Sequence, residues 1–458
     1  MVDVKSKRFF LCYTLSIIVL VPPAKPETNI IDRYASKTRY RANTGNWRRP
    51  ENCKPKYIDM LVRHGTRHPS KKDVKKIDAM LSVVNAFFYE RQFLYRDLKL
   101  PWRNEFFVEN DKILTKIGKE EMKNLSARMK NRLPELFINS PELYSFYSTD
   151  TTRTIESASA FVSGLYGDHS NISIVSVKKD KDHLLRFFDQ CPLYKTKVSD
   201  NKTALYHTKR FREGTEMNDV LKKVVLKLGL TAEQQRHLKP KHLTAMYIAC
   251  SFEVAVFDRH NTWCELFDSD DFEVLEYLYD LKHYWKRAYG YTINYRMSCT
   301  LFADIVKNIL NAVNLESRTE PIAGEKNHTK KLGVFRFAHA ETLQPLYALL
   351  GLFKDKEELR ADNFAKHNSR KYRTSFVVPF GANIAFVIYS CDSSQHKNTL
   401  DNFQLQVYVG EKLIQLPCGD EISCPLVDFL NIYSKHIDRC VLSEICKAEE
   451  RTEEHEEL

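Results

Sequence analysis

KYIDMLVRHGTRHPSKKDVKKIDAMLSVV, residues 56–84, changes character twice. Its first third, from Tyr57 to Val62, is a short apolar run of strand length. Its last third places Val74, Ile77, Met80, Leu81 and Val84 at helical spacing. Between the two stand Arg63, His64, Arg67 and His68, with Gly65 free to take a tight turn and Pro69–Ser70 leading into the helix. A strand ends, a cationic corner follows, and a helix begins.

The same order recurs twice. In LYSFYSTDTTRTIESASAFVSGLYG (143–167), Tyr144–Tyr147 reads as a strand and Asp150 or Thr151 as a helix cap. Ile155, Ala158, Phe161, Val162 and Leu165 then trace a helical stripe, with Arg153 in its first turn. In KLGVFRFAHAETLQPLYALLG (331–351), Leu332–Ala338 reads as a strand and Thr342 as the cap of a helix that Gly351 ends. His339 and Glu341 lie at that corner. In open α/β sheets, ligands bind beyond the carboxyl ends of the strands, where helix N-termini favour anions. Parallel neighbouring strands would therefore bring Arg63, His64, Arg67, Arg153, His339 and Glu341 to one edge.

The rest of the chain completes the expected architecture. Residues 188–295 hold amphipathic helical stretches and read as an α-helical cap inserted into the fold. RTSFVVPFGANIAFVIYSC (373–391) predicts two strands around Phe380–Asn383, and FQLQVYVGEKLIQLPC (403–418) a second hairpin around Gly410–Glu411. The fold class is α/β: a mixed, mostly parallel central sheet flanked by helices. Residues 27–187 and 296–446 would form the α/β domain around the cap.

The ends of the chain speak to location. Lys5, Lys7 and Arg8 precede an apolar stretch and Pro22–Pro23, so residues 1–23 read as a cleaved secretory signal. No later apolar run is long enough to span a bilayer. Of 11 cysteines, ten lie beyond the signal, enough for five disulfides in an oxidising compartment. Loop closure makes Cys418–Cys424 and Cys440–Cys446 plausible local pairs. Asn124, Asn171, Asn201 and Asn327 head glycosylation sequons. Residues 447–458 form an acidic tail, expected to be disordered, that ends in His455-Glu456-Glu457-Leu458. That ending is a variant of the retention address read by a receptor in the endoplasmic reticulum. The protein is thus expected in that lumen or secreted.

The chain carries a net +11 despite this tail, so its body attracts polyanions. Nucleic acid is a poor match for a secretory chain, and a phosphorylated small molecule is the better one. A phosphate monoester suits the predicted corner. Arginine forks match its oxygens, a neutral imidazole can attack phosphorus in line, and a carboxylic acid can protonate the departing alkoxide. This chemistry calls for no cofactor and no metal. Asp268–Asp271 lacks the spacing of a calcium loop and reads as an ordinary loop.

Arg63-His64-Gly65-Thr66-Arg67-His68-Pro69 resembles the R-H-G-x-R-x-P signature of the histidine acid phosphatases. His339-Ala340-Glu341 is similar to the His-Ala-Glu variant typical of multiple inositol polyphosphate phosphatases. The resemblance extends over most of the chain and includes Arg153 and Leu184–Cys191. It implies the α/β fold with a helical cap, His64 as nucleophile, Glu341 as proton donor, and Arg63, Arg67, Arg153 and His339 as phosphate ligands. It implies a polyphosphorylated substrate: inositol hexakisphosphate, with 2,3-bisphosphoglycerate besides. Lys71 and Lys72 could form a basic lip for such a ligand, or only a solvated helix face with Lys75 and Lys76. Taken singly, Arg153 could pair with Glu156, and Glu341 could merely favour its helix terminus. A broad acid phosphatase and a non-catalytic binder of polyanions are the competing functions. Phosphoglycerate mutases share a phosphohistidine corner, but the signal and the cysteines oppose them.

Overall fold

A computed structural model describes residues 33–43, 47–89, 103–168, 172–317, 331–391, 400–419 and 422–447. Residues 1–23, read as a secretory signal, Asn171, Asn327 and the tail from 448 onward lie outside the described residues.

Eight strands form one sheet: β1 (Cys53–Arg63), β2 (Tyr144–Thr149), β3 (Val175–Val177), β4 (Gly333–Ala338), β5 (Asn383–Cys391), β6 (Phe403–Val409), β7 (Lys412–Ile414) and β8 (Cys424–Pro425). Their order is β3-β2-β4-β1-β5-β6-β7, with β8 also on β6. The half from β3 to β1 is parallel. From β1 through β5 and β6 to β7 every pairing is antiparallel, so the sheet is mixed, as predicted, but not mostly parallel: three pairings are parallel and four, with that of β8, antiparallel. β4 sits between β1 and β2, so the three strand-to-helix corners are neighbours at one edge. Those corners open α1 (Lys71–Tyr89), α3 (Thr152–Tyr166) and α9 (Ala340–Leu349). Helix α2 (Lys116–Arg132) packs beside α3, and α8 (Cys299–Ser317) touches β1. Between the second and third corners the chain forms α4 (Tyr206–Arg212), α5 (Thr215–Lys227), α6 (Pro240–Phe252) and α7 (Ser269–Arg287). Helix α10 (Leu426–Asp438) follows β8.

β1 is buried on both faces, which explains its unbroken apolar run. Alternate residues Ile58, Met60 and Val62 join the α2 and α3 side chains in one core. Tyr57 and Leu61 join the other, which continues through α1 into α6 and α7. Each large apolar side chain so buried contributes roughly 1.5–3 kcal/mol. One charge breaks the pattern. Arg336 of β4 is 1% exposed and pairs with Asp59 of β1 and Asp304 of α8. Such a buried pair locks the register of the two central strands, because removing one partner costs about 3–5 kcal/mol.

Five disulfides close the structure: Cys53–Cys391, Cys191–Cys446, Cys250–Cys264, Cys299–Cys440 and Cys418–Cys424. The local pair Cys418–Cys424 forms, but Cys440–Cys446 does not. The end of α10 packs on α8, which presents Cys440 to Cys299. Cys446 lies beside residue 193, whose backbone N–H donates to its carbonyl, and so meets Cys191.

Three local readings also change. Thr374–Val377 is a short helix, not the first strand of a hairpin. Asp280 of α7 accepts from the Thr374 backbone and hydroxyl, and Glu276 from Ser375. This tertiary anchoring overrides the strand propensity of Phe376 and Val377. The hairpin from β6 to β7 does form. At the third corner the N-cap is His339, while Thr342 lies inside the helix and donates its hydroxyl to the Leu185 carbonyl. Asp268 is no loop aspartate but the N-cap of α7, in a reciprocal capping box with Asp271.

Candidate active site

The first corner is built by a close approach rather than by an unusual backbone. A Cβ on Gly65 would stand 2.3 Å from the Gly118 carbonyl oxygen, and one on Gly118 2.2 Å from that of Thr66. Gly65 is thus required by packing against α2 and not by a positive φ. Thr66 is held from both sides. Its N–H and hydroxyl each donate to Glu121 at 2.7 Å, and its carbonyl accepts from the Thr115 N–H and hydroxyl. The His64 N–H donates to the Ala338 carbonyl, and Gly381, in the left-handed region at φ 67°, donates to that of His64.

This frame aims the side chains. The His64 ring, in a residue 3% exposed, has Nδ1 2.9 Å from the Gly65 carbonyl. Only a protonated Nδ1 can make that bond, so in the neutral ring Nε2 keeps its lone pair. Nε2 has no hydrogen-bond partner among the described residues. Arg63 is anchored on the Ser36 and Val378 carbonyls, with its guanidinium over Phe380. Arg67 is tied to the His68 carbonyl.

The other corners close on this one. The His339 and His64 ring centres are 5.8 Å apart. Arg153 Nη2, from the first turn of α3, lies 3.1 Å from His339 Nδ1, and the Thr149 hydroxyl lies 3.0 Å from Nε2. Arg186 Nη1 lies 3.0 Å from the same nitrogen. Arg153 does not pair with Glu156, which takes Lys119 at 3.5 Å. The Glu341 side chain is 37% exposed and accepts from Arg287 of α7 at 2.6 Å. Lys71 and Lys72 are exposed in the first turn of α1, and the charge of Lys72 reaches Lys286 on α7.

The field is strongly positive. Burial, then the charges of Arg63, Arg153 and Arg67, hold His64 well below the usual histidine range. Burial and Arg153 do the same to His339. Both rings are therefore neutral at neutral pH. Burial and Arg67 push Arg63 down to about 9 and Arg153 down to about 10. Both stay charged at neutral pH, but crowding makes an anion welcome there. Withdrawal from solvent raises Glu341, yet Arg287, ahead of Arg63, outweighs it and holds the carboxyl well below its usual range. The corner can receive an anion, present a neutral nucleophile to it, and keep a carboxylate at its rim.

Arg63, His64, Arg67, Arg153, His339 and Glu341 thus meet at one edge, and Lys71 and Lys72 lie on the adjoining helix. Arg186 and Arg287 are the contacts that sequence reasoning missed. Arg186 lies within Leu184–Cys191, where its i+3 spacing from Asp189 marks an ordinary local ion pair and conceals its reach to His339. Arg287 carries no local signal, because only the packing of α7 brings it to Glu341.

The profile of the histidine phosphatase superfamily (branch 2) matches residues 56–409. The chain belongs to that family. Multiple inositol polyphosphate phosphatase 1 of Homo sapiens is 34% identical over 98% of this chain and 96% of its own length. The Gallus gallus protein of the same name is 33% identical over 87% and 86%. Among solved structures, the multiple inositol polyphosphate phosphatase of Bifidobacterium longum, in complex with inositol hexasulfate, superposes with a TM-score of 0.66. It is 16% identical and covers 85% of this chain and 94% of that one. A phytase from D. castellii gives 0.68 at 17% identity, over 93% and 91%. At these identities the structural likeness speaks for the shared histidine phosphatase fold.

Proposed function

We propose that this histidine phosphatase is a phosphomonoesterase of inositol polyphosphates, inositol hexakisphosphate above all, acting through a phosphohistidine at His64. The observation that carries the reading is the neutral His64 ring, with Nδ1 bound to the Gly65 carbonyl and Nε2 unclaimed amid three arginines. The family and its inositol-phosphate-hydrolysing namesakes support the substrate class.

In this reading Arg63, Arg67, Arg153 and His339 bind the phosphate, with Arg186 beside His339. His64 Nε2 attacks phosphorus, the phosphorus–oxygen ester bond breaks, and the alkoxide takes a proton from Glu341. The Glu341 carboxylate then draws a proton from water, whose oxygen attacks the phosphohistidine and releases inorganic phosphate. The Arg287 pair keeps Glu341 ionised until a phosphate dianion competes for Arg287 and lowers the cost of protonating the acid, which then takes its proton from solvent before the ester is cleaved. Arginines that meet the equatorial oxygens act most strongly on the transition state, where charge is spreading. Lys71 and Lys72 would serve phosphates that are not being cleaved.

Residues 27–187 and 296–446 are read as the catalytic domain, and 188–295 as its cap. The five disulfides favour secretion or an endoplasmic reticulum lumen, with a retention receptor for the C-terminal His-Glu-Glu-Leu. A second, small substrate, 2,3-bisphosphoglycerate, fits the same anchor. Replacement of His64 by Ala should abolish phosphate release from inositol hexakisphosphate and the acid-labile phosphoenzyme. Turnover retained by the variant would remove the nucleophile. Faster hydrolysis of simple aryl phosphates than of inositol phosphates would favour a broad acid phosphatase instead.

A further inference from the structure

A second cationic cavity, of about 340 Å³, lies among α1, α4, α6 and α7. Lys76, Arg212, Lys241 and Lys282 line it, one from each of the four helices, and neither Asp nor Glu is among its lining residues. Lys76 pairs with Asp73 at 3.5 Å. Arg212, Lys241 and Lys282 have no ion-pair partner among the described residues. Four like charges around one hollow repel each other; Asp73 offsets Lys76 and, at longer range, Lys282, while no carboxylate among the described residues pairs with Arg212 or Lys241. Burial, then Arg287 and Lys76, push Lys282 down to about 8.

One residue of its wall carries an unmet polar atom. Thr208 lines it, the residue is 2% exposed, and its hydroxyl has no hydrogen-bond partner. A hydroxyl buried this way costs about 1–3 kcal/mol, and a turn of the Thr208 side chain would offer it to a ligand in the cavity. None of these residues touches His64, His339 or Glu341.

We infer that this cavity is a second anion site, which takes a small molecule carrying two or more phosphates on Lys76, Arg212, Lys241, Lys282 and the Thr208 hydroxyl. Cations on four separate helices suit spaced phosphates better than a single one, and the volume exceeds what one phosphate fills. The choice of ligand class rests on the proposed activity; the cationic lining and the orphaned hydroxyl do not. A ligand here bridges α1, which leads from the His64 corner, to α7, which ends at Arg287. Occupancy would therefore stiffen the two helices that frame the catalytic cleft.

The test is calorimetric titration of the full chain with inositol hexasulfate, which resists hydrolysis. Wild type should show two binding events. Arg212→Glu with Lys241→Glu should weaken one of them on the order of 100-fold, and Thr208→Val about 5-fold. Neither variant should change kcat/KM for 4-nitrophenyl phosphate by more than about twofold, which also shows that the variants fold. A single event in wild type, or two events unchanged in both variants, overturns the site. Should the double variant not fold, Thr208→Val alone decides. Failure of the phosphatase reading would appear separately, as no phosphate release from inositol hexakisphosphate by wild type.

Discussion

Glu121 offers the sharpest test of how the His64 corner is held. It never faces the catalytic cleft residues; it grips the loop from beneath, through the Thr66 N–H and hydroxyl at 2.7 Å each and the Tyr40 N–H at 3.3 Å. Glu121→Ala strands the two Thr66 donors in a residue with no solvent exposure. At about 1–3 kcal/mol per unpaired buried donor, the loss is roughly 2–6 kcal/mol. An unfolding entropy of about 2.1 cal/mol/K per residue turns this into a Tm lower by roughly 2–6 °C for a chain of 458 residues. The catalytic effect should be larger. Thr66 lies two residues from His64, and a misplacement of about 1 Å can cost on the order of 100-fold in rate. Glu121→Gln keeps one acceptor for Thr66 and should recover part of both losses. The assays are scanning calorimetry and phosphate release from inositol hexakisphosphate. If Glu121→Ala loses Tm as worked while kcat stays within about twofold, the loop is positioned by other contacts and the reasoning fails.

Other expectations are more compact. Gly118→Ala forces a Cβ against the Thr66 carbonyl and should reduce kcat on the order of 100-fold, read by the same phosphate assay, with circular dichroism unchanged. Arg287→Gln frees Glu341 from the cation that keeps it ionised, so its carboxyl rises and the alkaline limb of the kcat/KM profile moves to higher pH. His64, His339 and His283 are all held well below the usual histidine value of 6.5. Below that pH the unfolded chain binds protons that these buried rings refuse, so stability should fall as pH drops from 7 toward 5. Denaturant melts at several pH values measure this, and His64→Ala with His339→Ala should flatten the slope. Lys71→Ala with Lys72→Ala should raise KM for inositol hexakisphosphate a few-fold and leave aryl phosphate turnover nearly unchanged. Equal effects on both substrates would assign the two lysines to the reacting phosphate instead.

The corners were legible because each is local. A change from extended to helical periodicity marks where a strand ends, and cationic residues at that point need no knowledge of the rest of the chain. The assembly of three corners followed from one rule about parallel sheets. What escaped was set by distant packing. Arg287 lies on the last turn of a helix whose stripe says nothing of Glu341, and Glu121 looks like any acidic residue of a surface helix. Residues 374–377 carry strand-forming side chains, yet Asp280 and Glu276 hold them in a helical turn. The pairing of Cys440 and Cys446 was misjudged for the same reason, since proximity in sequence ignored where α10 and α8 meet.

The position of β4 between β1 and β2 has a consequence for how the protein is made. Residue 64 leaves the ribosome long before residue 339, and at about 5–20 residues per second the interval is roughly 15–55 s. Throughout that time β1 and β2 have no central strand to join, and their apolar faces stay open to other partners. The phosphate-seeking corner therefore matures late, and β4, with its Arg336, is the keystone whose arrival joins β1 to β2 and β3 before β5, β6 and β7 are added.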